Sequence, residues 1–328
     1  MSELDESDTA ALLGQLKVEP GALARERAFA QLSDEFHATA APAGASAHRR
    51  TTRWAIAAGV VVLLAASMTW QALQPGARVA NLESLDGMLV THGAHWFNAN
   101  TQARAGDGLT AGESLTVSND GGALLRLSPD LTVRLGAGTH ARLGNAQEIE
   151  LTAGVAFVDA TPGARAPLRI VTPHGVVTHL GTQYLVRIER DAIELAVREG
   201  RAELKTGLVT SVAVAGEWLT QRDRDGVHTG KLPVDDPRFD WIAALPSEFR
   251  LDGATLNEFL AWFQRETGLS PTYGKGLDSA HLGQVQLKGS IESLEPLEAL
   301  SLVLATADLA WRREGAKVII EQRSTRTG

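Results

Sequence analysis

The chain has 328 residues, enough for about two or three domains of ordinary size. Apolar residues make up 44% of the chain and charged residues 21%, as in globular proteins, and the net charge of -8 offers no basic surface to nucleic acid. Because the sequence contains no cysteine, it excludes disulfides, thiolate metal sites and cysteine nucleophiles.

The first segment, residues 1–53, is acidic: residues 1–47 hold eight acidic side chains and three basic ones. Apolar residues recur at helical spacing on either side of Glu19-Pro20-Gly21, which predicts two short amphipathic helices. Two such helices bury little apolar surface by themselves, so we expect a protein partner to cover them. A loosely ordered tail that leads into the Ala/Pro/Gly/Ser stretch at 38–47 is the alternative interpretation.

Residues 54–73, WAIAAGVVVLLAASMTWQAL, carry no charge. About 20 apolar residues span the ~30 Å hydrocarbon core of a bilayer, and tryptophans favour its two interfaces. The segment lies too far from the start of the chain to be a cleaved signal peptide. It predicts a transmembrane helix, and a buried core helix is the alternative.

Basic residues stand before this segment and set its expected orientation. The positive-inside rule places such a flank in the cytoplasm. The sequence therefore predicts a bitopic protein of the inner (cytoplasmic) membrane, with its N-terminus cytoplasmic and its later domains periplasmic. The residues expected at the membrane interface are Arg49, Arg50, Arg53, Trp54 and Trp70.

After a linker at 74–80, apolar and polar residues alternate with a period of two across residues 81–230. In ALLRLSPDLTVRLG, two alternating runs flank Ser128-Pro129-Asp130, whose residue types favour the turn of a hairpin. Short strands separated by Gly, Pro and Asp, with no helical pattern between them, predict an all-β sandwich, roll or barrel.

A linker at 231–246 precedes the last domain, residues 247–322, and a tail at 323–328 follows it. Thr255 and Glu258 form a capping-box pattern at the start of an amphipathic helix. The order strand, helix, strand, strand, helix, strand, strand predicts a small α+β domain of the split βαβ type.

The segment KVIIEQ, residues 317–322, is the last strand of this predicted order and is expected at an edge of the sheet. A free edge can accept a strand from another chain. Alternatively, the strand only fills the core with Val318 and Ile320. The residues expected to point away from the core and to bind a partner are Lys317, Ile319 and Glu321.

Motifs for catalysis on an external substrate are missing from the sequence, which has no G-x-x-x-x-G-K-[ST], G-x-S-x-G or H-E-x-x-H. His92 and His95 have the spacing of a metal pair but no third ligand nearby in sequence. Glu148 and Glu150 share a strand face, where a solvated edge is the ordinary interpretation. We therefore expect no enzyme activity of this kind, no metal and no cofactor.

Residues 81 to about 220 resemble the FecR domain, through GESLTVSNDGGALLRLSPDLTVRLG, VTPHGVVTHLGTQYLVR and REGRAEL. Residues 249–322 resemble the secretin/TonB short N-terminal type of domain. The order of segments is similar to that of the FecR-like anti-sigma regulators of the Gram-negative envelope.

The resemblance implies an inner-membrane signal-transducing regulator. Such proteins bind an alternative sigma factor, of the extracytoplasmic-function type, and receive a signal from a TonB-dependent outer-membrane transducer, without direct contact to nucleic acid. The family also serves other envelope tasks, so a periplasmic scaffold without sigma-factor control is the alternative.

Within THLGTQYLVR, residues 178–187, a Gly-Thr pair stands at the start of a strand of regular alternation. Some FecR-like regulators cut themselves at a Gly-Thr bond in this stretch, so the resemblance makes Gly181 and Thr182 the candidate pair for self-cleavage. Period two places Thr182 on the buried face, and His179 lies nearby for proton transfer. Alternatively, the glycine forms a bulge and the threonine only occupies a strand position.

Overall fold

The structure is a computed structural model, and it describes residues 77–93, 100–161, 167–179, 181–222 and 226–323. These residues belong to one compact unit, Leu73–Gly328. It contains an all-β domain, as predicted, followed by a smaller domain of helices and strands.

Seventeen strands form the β domain within the described part of the chain. They are Arg78–Asp86 (β1), Leu89–His92 (β2), Thr101–Gln102 (β3), Gly108–Thr110 (β4), Ser114–Val117 (β5), Gly122–Ser128 (β6), Leu131–Leu135 (β7), His140–Asn145 (β8), Glu148–Ala160 (β9), Arg169–Thr172 (β10), Gly175–His179 (β11), Gln183–Ile188 (β12), Ala192–Glu199 (β13), Arg201–Thr206 (β14), Val209–Val214 (β15), Glu217–Arg222 (β16) and Gly226–Lys231 (β17).

The strands pair in two ladders that share β9. Ladder A runs β4-β1-β6-β7-β9-β12-β13-β16-β17. Ladder B runs β3-β2-β5-β8-β9-β10-β11-β14-β15, and its β9–β10 pair is parallel whereas the other pairs are antiparallel.

Strand β9 passes from ladder B to ladder A at Gly154, whose φ is +88°. A Cβ at this position would lie 2.5 Å from the Cα of Thr139, so the bend needs glycine. The inner faces of both ladders form one core, to which Leu82 and Val133 contribute from ladder A and Ile170 and Leu204 from ladder B.

The hairpin predicted around Ser128-Pro129-Asp130 is confirmed as β6 and β7. A 3₁₀ helix, Pro237–Ala244, follows the β domain. Its Phe239 and Ile242 cover Phe157 of β9 on the outer face of ladder A, so this ladder is buried on both sides there.

The second domain contains three α-helices and three strands among its described residues. The capping box of Thr255 and Glu258 is confirmed, and Gly268 ends the first helix with a φ of +74°. The elements are Leu256–Thr267 (α1), Ser270–Tyr273 (β18), Ser279–Leu282 (α2), Pro296–Thr306 (α3), Leu309–Glu314 (β19) and Lys317–Gln322 (β20).

Three details of the predicted α+β domain are wrong. Among the described residues, no strand of this domain precedes α1 and none lies between β18 and α3, where an isolated bridge joins Gln286 to Thr255. The strand order is β18-β20-β19, so β20 is the central strand and not an edge. The parallel strands β18 and β20 are direct neighbours, whereas a split βαβ unit has another strand between them. Strand order depends on long-range pairing, which the local pattern of KVIIEQ does not report.

Within the part of the chain that the structure describes, no helix is long and apolar enough to cross a membrane. The longest described helix, α1, has 12 residues, about 18 Å, against the ~30 Å of a hydrocarbon core. The predicted bitopic fold and inner-membrane location are corrected accordingly. The predicted span at 54–73 lies outside the described residues.

Candidate functional site

The candidate cleavage pair lies between two strands of different ladders, β11 and β12. Gly181 has a φ of +57°, in the left-handed region that glycine adopts without strain. Thr182 is 1% exposed, so its side chain points inward as predicted, on the same side as Tyr184. The chain thus changes ladder around the Gly-Thr bond, and strand β12 begins directly after the pair, at Gln183.

A second glycine packs directly against this bond. A Cβ at Gly200, whose φ is +76°, would lie 2.6 Å from the carbonyl oxygen of Gly181 and 2.9 Å from Cβ of Thr182. No side chain fits between them. The turn between β13 and β14 therefore holds the Gly181–Thr182 peptide in a close backbone contact.

Three buried side-chain atoms between residues 179 and 184 have no hydrogen-bond partner among the described residues: Thr182 Oγ1, His179 Nδ1 and Tyr184 Oη. The rings of His179 and Tyr184 lie 5.4 Å apart between centroids. An unpaired buried polar group destabilises a fold by about 1–3 kcal/mol. Three such groups within residues 179–184 indicate that these side chains are kept for a reason other than stability.

His179 is held neutral in one tautomer. Its Nε2 accepts a hydrogen bond from the backbone N–H of Leu168 at 3.0 Å, which places the ring proton on Nδ1. Burial lowers the pKa of His179 to about 4. Nδ1 is therefore a proton donor at neutral pH, three residues before Thr182 in sequence, and it cannot act as the base for the threonine hydroxyl unless the bond to Leu168 breaks.

The outer face of ladder A holds helix α1 of the second domain through polar side chains, which we call the clasp. It consists of Arg134, Asp159, Gln183 and Arg198 from the β domain and Arg265 and Glu266 from α1.

Arg134 and Glu266 form an ion pair in which both side chains are 1% exposed. Arg134 also donates from Nε to the carbonyl oxygen of Leu245 at 2.7 Å. Glu266 accepts from the backbone N–H of Ser247 at 3.3 Å and from its hydroxyl. Each charge is therefore hydrogen-bonded on more than one side, which a buried ion pair requires.

The other clasp contacts lie beside the candidate cleavage bond. Arg265 Nε donates to Asp159 at 3.1 Å, and Gln183 Nε2 donates to the backbone oxygen of Arg265 at 3.0 Å. Gln183 follows Thr182 in sequence, and the Thr182 carbonyl accepts the backbone N–H of Ala160 at 3.0 Å. The C-terminal domain is thus bonded to the residue next to the Gly181–Thr182 peptide.

Arg198 completes the clasp at the C-terminal end of α1. Its guanidinium lies over the rings of Phe157 and Phe239, 5.3 and 4.4 Å from their centroids. It also contacts Gly268, where a Cβ would lie 3.0 Å from Arg198 Nε. Burial, and then the charge of Arg134, lowers the pKa of Arg198 to about 10, so it stays a cation at the negative end of the helix dipole.

The other predicted site residues are placed as follows. Lys317, Ile319 and Glu321 lie on the central strand β20, on the side opposite the buried Val318 and Ile320. Glu321 accepts a hydrogen bond from Arg312 Nε of β19 at 2.8 Å. The five residues predicted at a membrane interface lie outside the described part of the chain, as does His95.

A family model described as FecR protein matches residues 109–203. The β domain of this chain is therefore similar to the FecR domain over these residues. The match lies wholly within the β domain and includes the Gly181–Thr182 bond and all four β-domain clasp residues, whereas α1 lies outside it.

Two crystal structures of a "putative anti-sigma factor" from Parabacteroides distasonis ATCC 8503, at 1.65 and 2.50 Å resolution, are similar to this chain. Each is 15% identical, with a TM-score of 0.34, and the match covers 64% of this chain and 99% of the other. At this TM-score the likeness carries no conclusion about fold or function. A comparison with curated proteins finds no match.

The clasp residues of this protein were missed by the sequence analysis. Arg134 alternates with the apolar residues of β7, a pattern that ordinarily indicates a solvated face. In the structure that face is covered by the second domain, so Arg134 is fully buried. The one available signal was Glu266, which follows Phe263 at a helical spacing of three and so lies near the apolar side of α1.

We expect the stability of the protein to fall as the pH falls from about 6.5 to about 4. In this window the unfolded chain binds a proton at His179 that the folded chain does not, because burial lowers the pKa in the folded state only. His179→Asn offers an oxygen to the N–H of Leu168 and does not titrate. Melting temperatures between pH 8 and pH 4 should therefore fall less steeply for the variant, and equal slopes would contradict the buried neutral histidine.

Proposed function

We propose that this protein is a FecR-type regulator of an alternative sigma factor of the extracytoplasmic-function type. The observation that carries the proposal is the match of residues 109–203 to the FecR family, which the sequence resemblance associates with anti-sigma regulators. In the proposal, the acidic segment at 1–53 binds the sigma factor, and the C-terminal domain receives the signal.

The proposed signal receiver is the side of the three-stranded sheet that bears Lys317, Ile319 and Glu321. The helices α1 and α3 pack against the opposite side, around Val318 and Ile320. Because β20 is central, a partner contacts this surface through side chains and not by adding a strand beside β20. The partner class that we propose is the N-terminal signalling domain of a TonB-dependent transducer.

Co-purification of the full chain with candidate sigma factors of the source organism tests this function. We expect stable capture by the full chain and loss of capture when residues 1–53 are deleted. Ile319→Lys, on the proposed receiver surface, is the matched control and should still capture the sigma factor. No capture of any candidate by the full chain would contradict sigma-factor control and favour the scaffold function.

We also propose that the protein cuts its own chain at the Gly181–Thr182 bond. The observation that favours this activity is the buried, unpartnered hydroxyl of Thr182 beside a left-handed Gly181. In the first step, Thr182 Oγ1 attacks the carbonyl carbon of Gly181, the peptide C–N bond breaks, and the hydroxyl proton is transferred to the released nitrogen of Thr182. The product is an ester with a free amine at Thr182.

Water then hydrolyses the ester, giving a carboxylate at Gly181 and regenerating the hydroxyl of Thr182. In this proposal, His179, whose ring proton lies on Nδ1, donates from Nδ1 to the developing negative charge or to the leaving nitrogen. The close contact with Gly200 keeps the peptide in its bent conformation.

Protein tagged at both ends tests the cleavage. We expect two fragments under denaturing conditions, residues 1–181 and 182–328. Thr182→Ala should remain intact because it has no nucleophile, and Thr182→Ser should retain part of the cleavage because the hydroxyl is kept. Thr178→Ala, a threonine variant four residues away in β11, should be cut like the wild type. Equal cutting of Thr182→Ala would rule the mechanism out.

A further inference from the structure

Strand β15, Val209–Val214, is an outer strand of ladder B and pairs only with β14 among the described residues. A two-residue turn, Gly207-Leu208, joins the two strands, and Thr206 is opposite Val209. The far side of β15 is therefore a sheet edge that can accept another strand.

The hydrogen-bond pattern shows which backbone groups this edge offers. Ala215 donates to the carbonyl oxygen of Gly200 at 2.9 Å, so the odd-numbered residues of β15 are bonded to β14. Thr210, Val212 and Val214 then direct their N–H and C=O groups away from β14. Glu217 Oε2 accepts the N–H of Val214 at 3.2 Å, and both groups of Thr210 and Val212 remain for pairing.

The side chains of this edge are apolar and exposed. The exposed fractions are 103% for Leu208, 59% for Val209, 46% for Val212 and 43% for Val214. No charged residue occurs from 207 to 216. Natural edge strands usually carry charges or proline that prevent pairing with other chains.

Three other outer strands of this protein do carry such protection. Strand β17 contains Lys231, β18 contains Pro271, and β19 contains the charged run at 312–314. The outer strands β3 and β4 also lack charge and proline, but they have only two and three residues, and a very short edge is itself protected. Among the longer outer strands of the described residues, β15 is therefore the exception.

We propose that β15 pairs antiparallel with β15 of a second copy of this chain, with Val212 opposite its counterpart. A twofold axis through Val212 also brings Thr210 opposite Val214 of the second copy, whose outward-directed carbonyl oxygen can accept the N–H of Thr210. A register centred on Ser211 would instead use groups already bonded to β14.

Charge is the reason for choosing a second copy as the occupant. Pairing of two uncharged strands places valine against valine and threonine, whereas a charged partner strand would lose hydration beside apolar side chains. The contact covers about five residues of each copy, which is small for a protein interface, so a weak, concentration-dependent dimer is expected.

Single cysteines test the register, since the wild-type chain contains none. Val212→Cys in the full chain should form a disulfide-linked dimer under mild oxidation, because directly opposed Cα atoms lie ~5.5 Å apart, within disulfide range. Thr210→Cys is the matched control: its two copies would lie about four residues apart along the strand, ~13 Å, and should stay monomeric on a non-reducing gel. Equal cross-linking of both variants, or none of Val212→Cys, would overturn the proposal.

Sedimentation of the full chain provides an independent measurement. We expect the wild type to dimerise as its concentration rises, and Val212→Lys to weaken dimerisation at least tenfold by placing like charges opposite each other. Val227→Lys on the outer strand β17 should dimerise like the wild type. A wild type that remains monomeric, or a Val212→Lys variant that dimerises equally, would overturn the proposal.

Discussion

The buried ion pair between Arg134 and Glu266 joins the two domains, and the arrangement of the described structure depends on it. Burial of two charges is unfavourable unless their remaining hydrogen-bonding groups are also satisfied. Here Leu245 and Ser247, from the connection between the domains, complete the bonding of the arginine and the glutamate respectively. These hydrogen bonds form only when the β domain, the connection between the domains and helix α1 all meet. The ion pair therefore stabilises one docked position of α1 in preference to others.

The clasp also relates the domains to the candidate cleavage bond. Gln183 pairs with Asp159 in ladder A, and both side chains contact Arg265 of α1. Thr182, one residue earlier, points to the opposite side, into the core between the ladders. Undocking of the C-terminal domain would therefore remove contacts from the residue that follows the candidate bond, while the buried hydroxyl and the close contact with Gly200 stay within the β domain.

Local signals in the sequence were sufficient for some elements and insufficient for others. The capping box at Thr255 and the inward-facing Thr182 were predicted because each depends on neighbouring residues and on strand periodicity. The burial of Arg134 and the central position of β20 could not be predicted, because both depend on pairing with distant parts of the chain. An arginine that alternates with apolar residues is the same pattern whether water or a second domain covers it.

A double-mutant cycle on the ion pair tests the central claim most directly, with stability measured by urea unfolding. Glu266→Leu leaves Arg134 buried without a counter-charge, and Arg134→Met does the reverse, so each should destabilise the protein by about 3–5 kcal/mol. The double variant should lose much less than the sum of the two, because no unpaired charge remains. Additive losses, or single losses below about 1 kcal/mol, would contradict a buried pair that joins the domains.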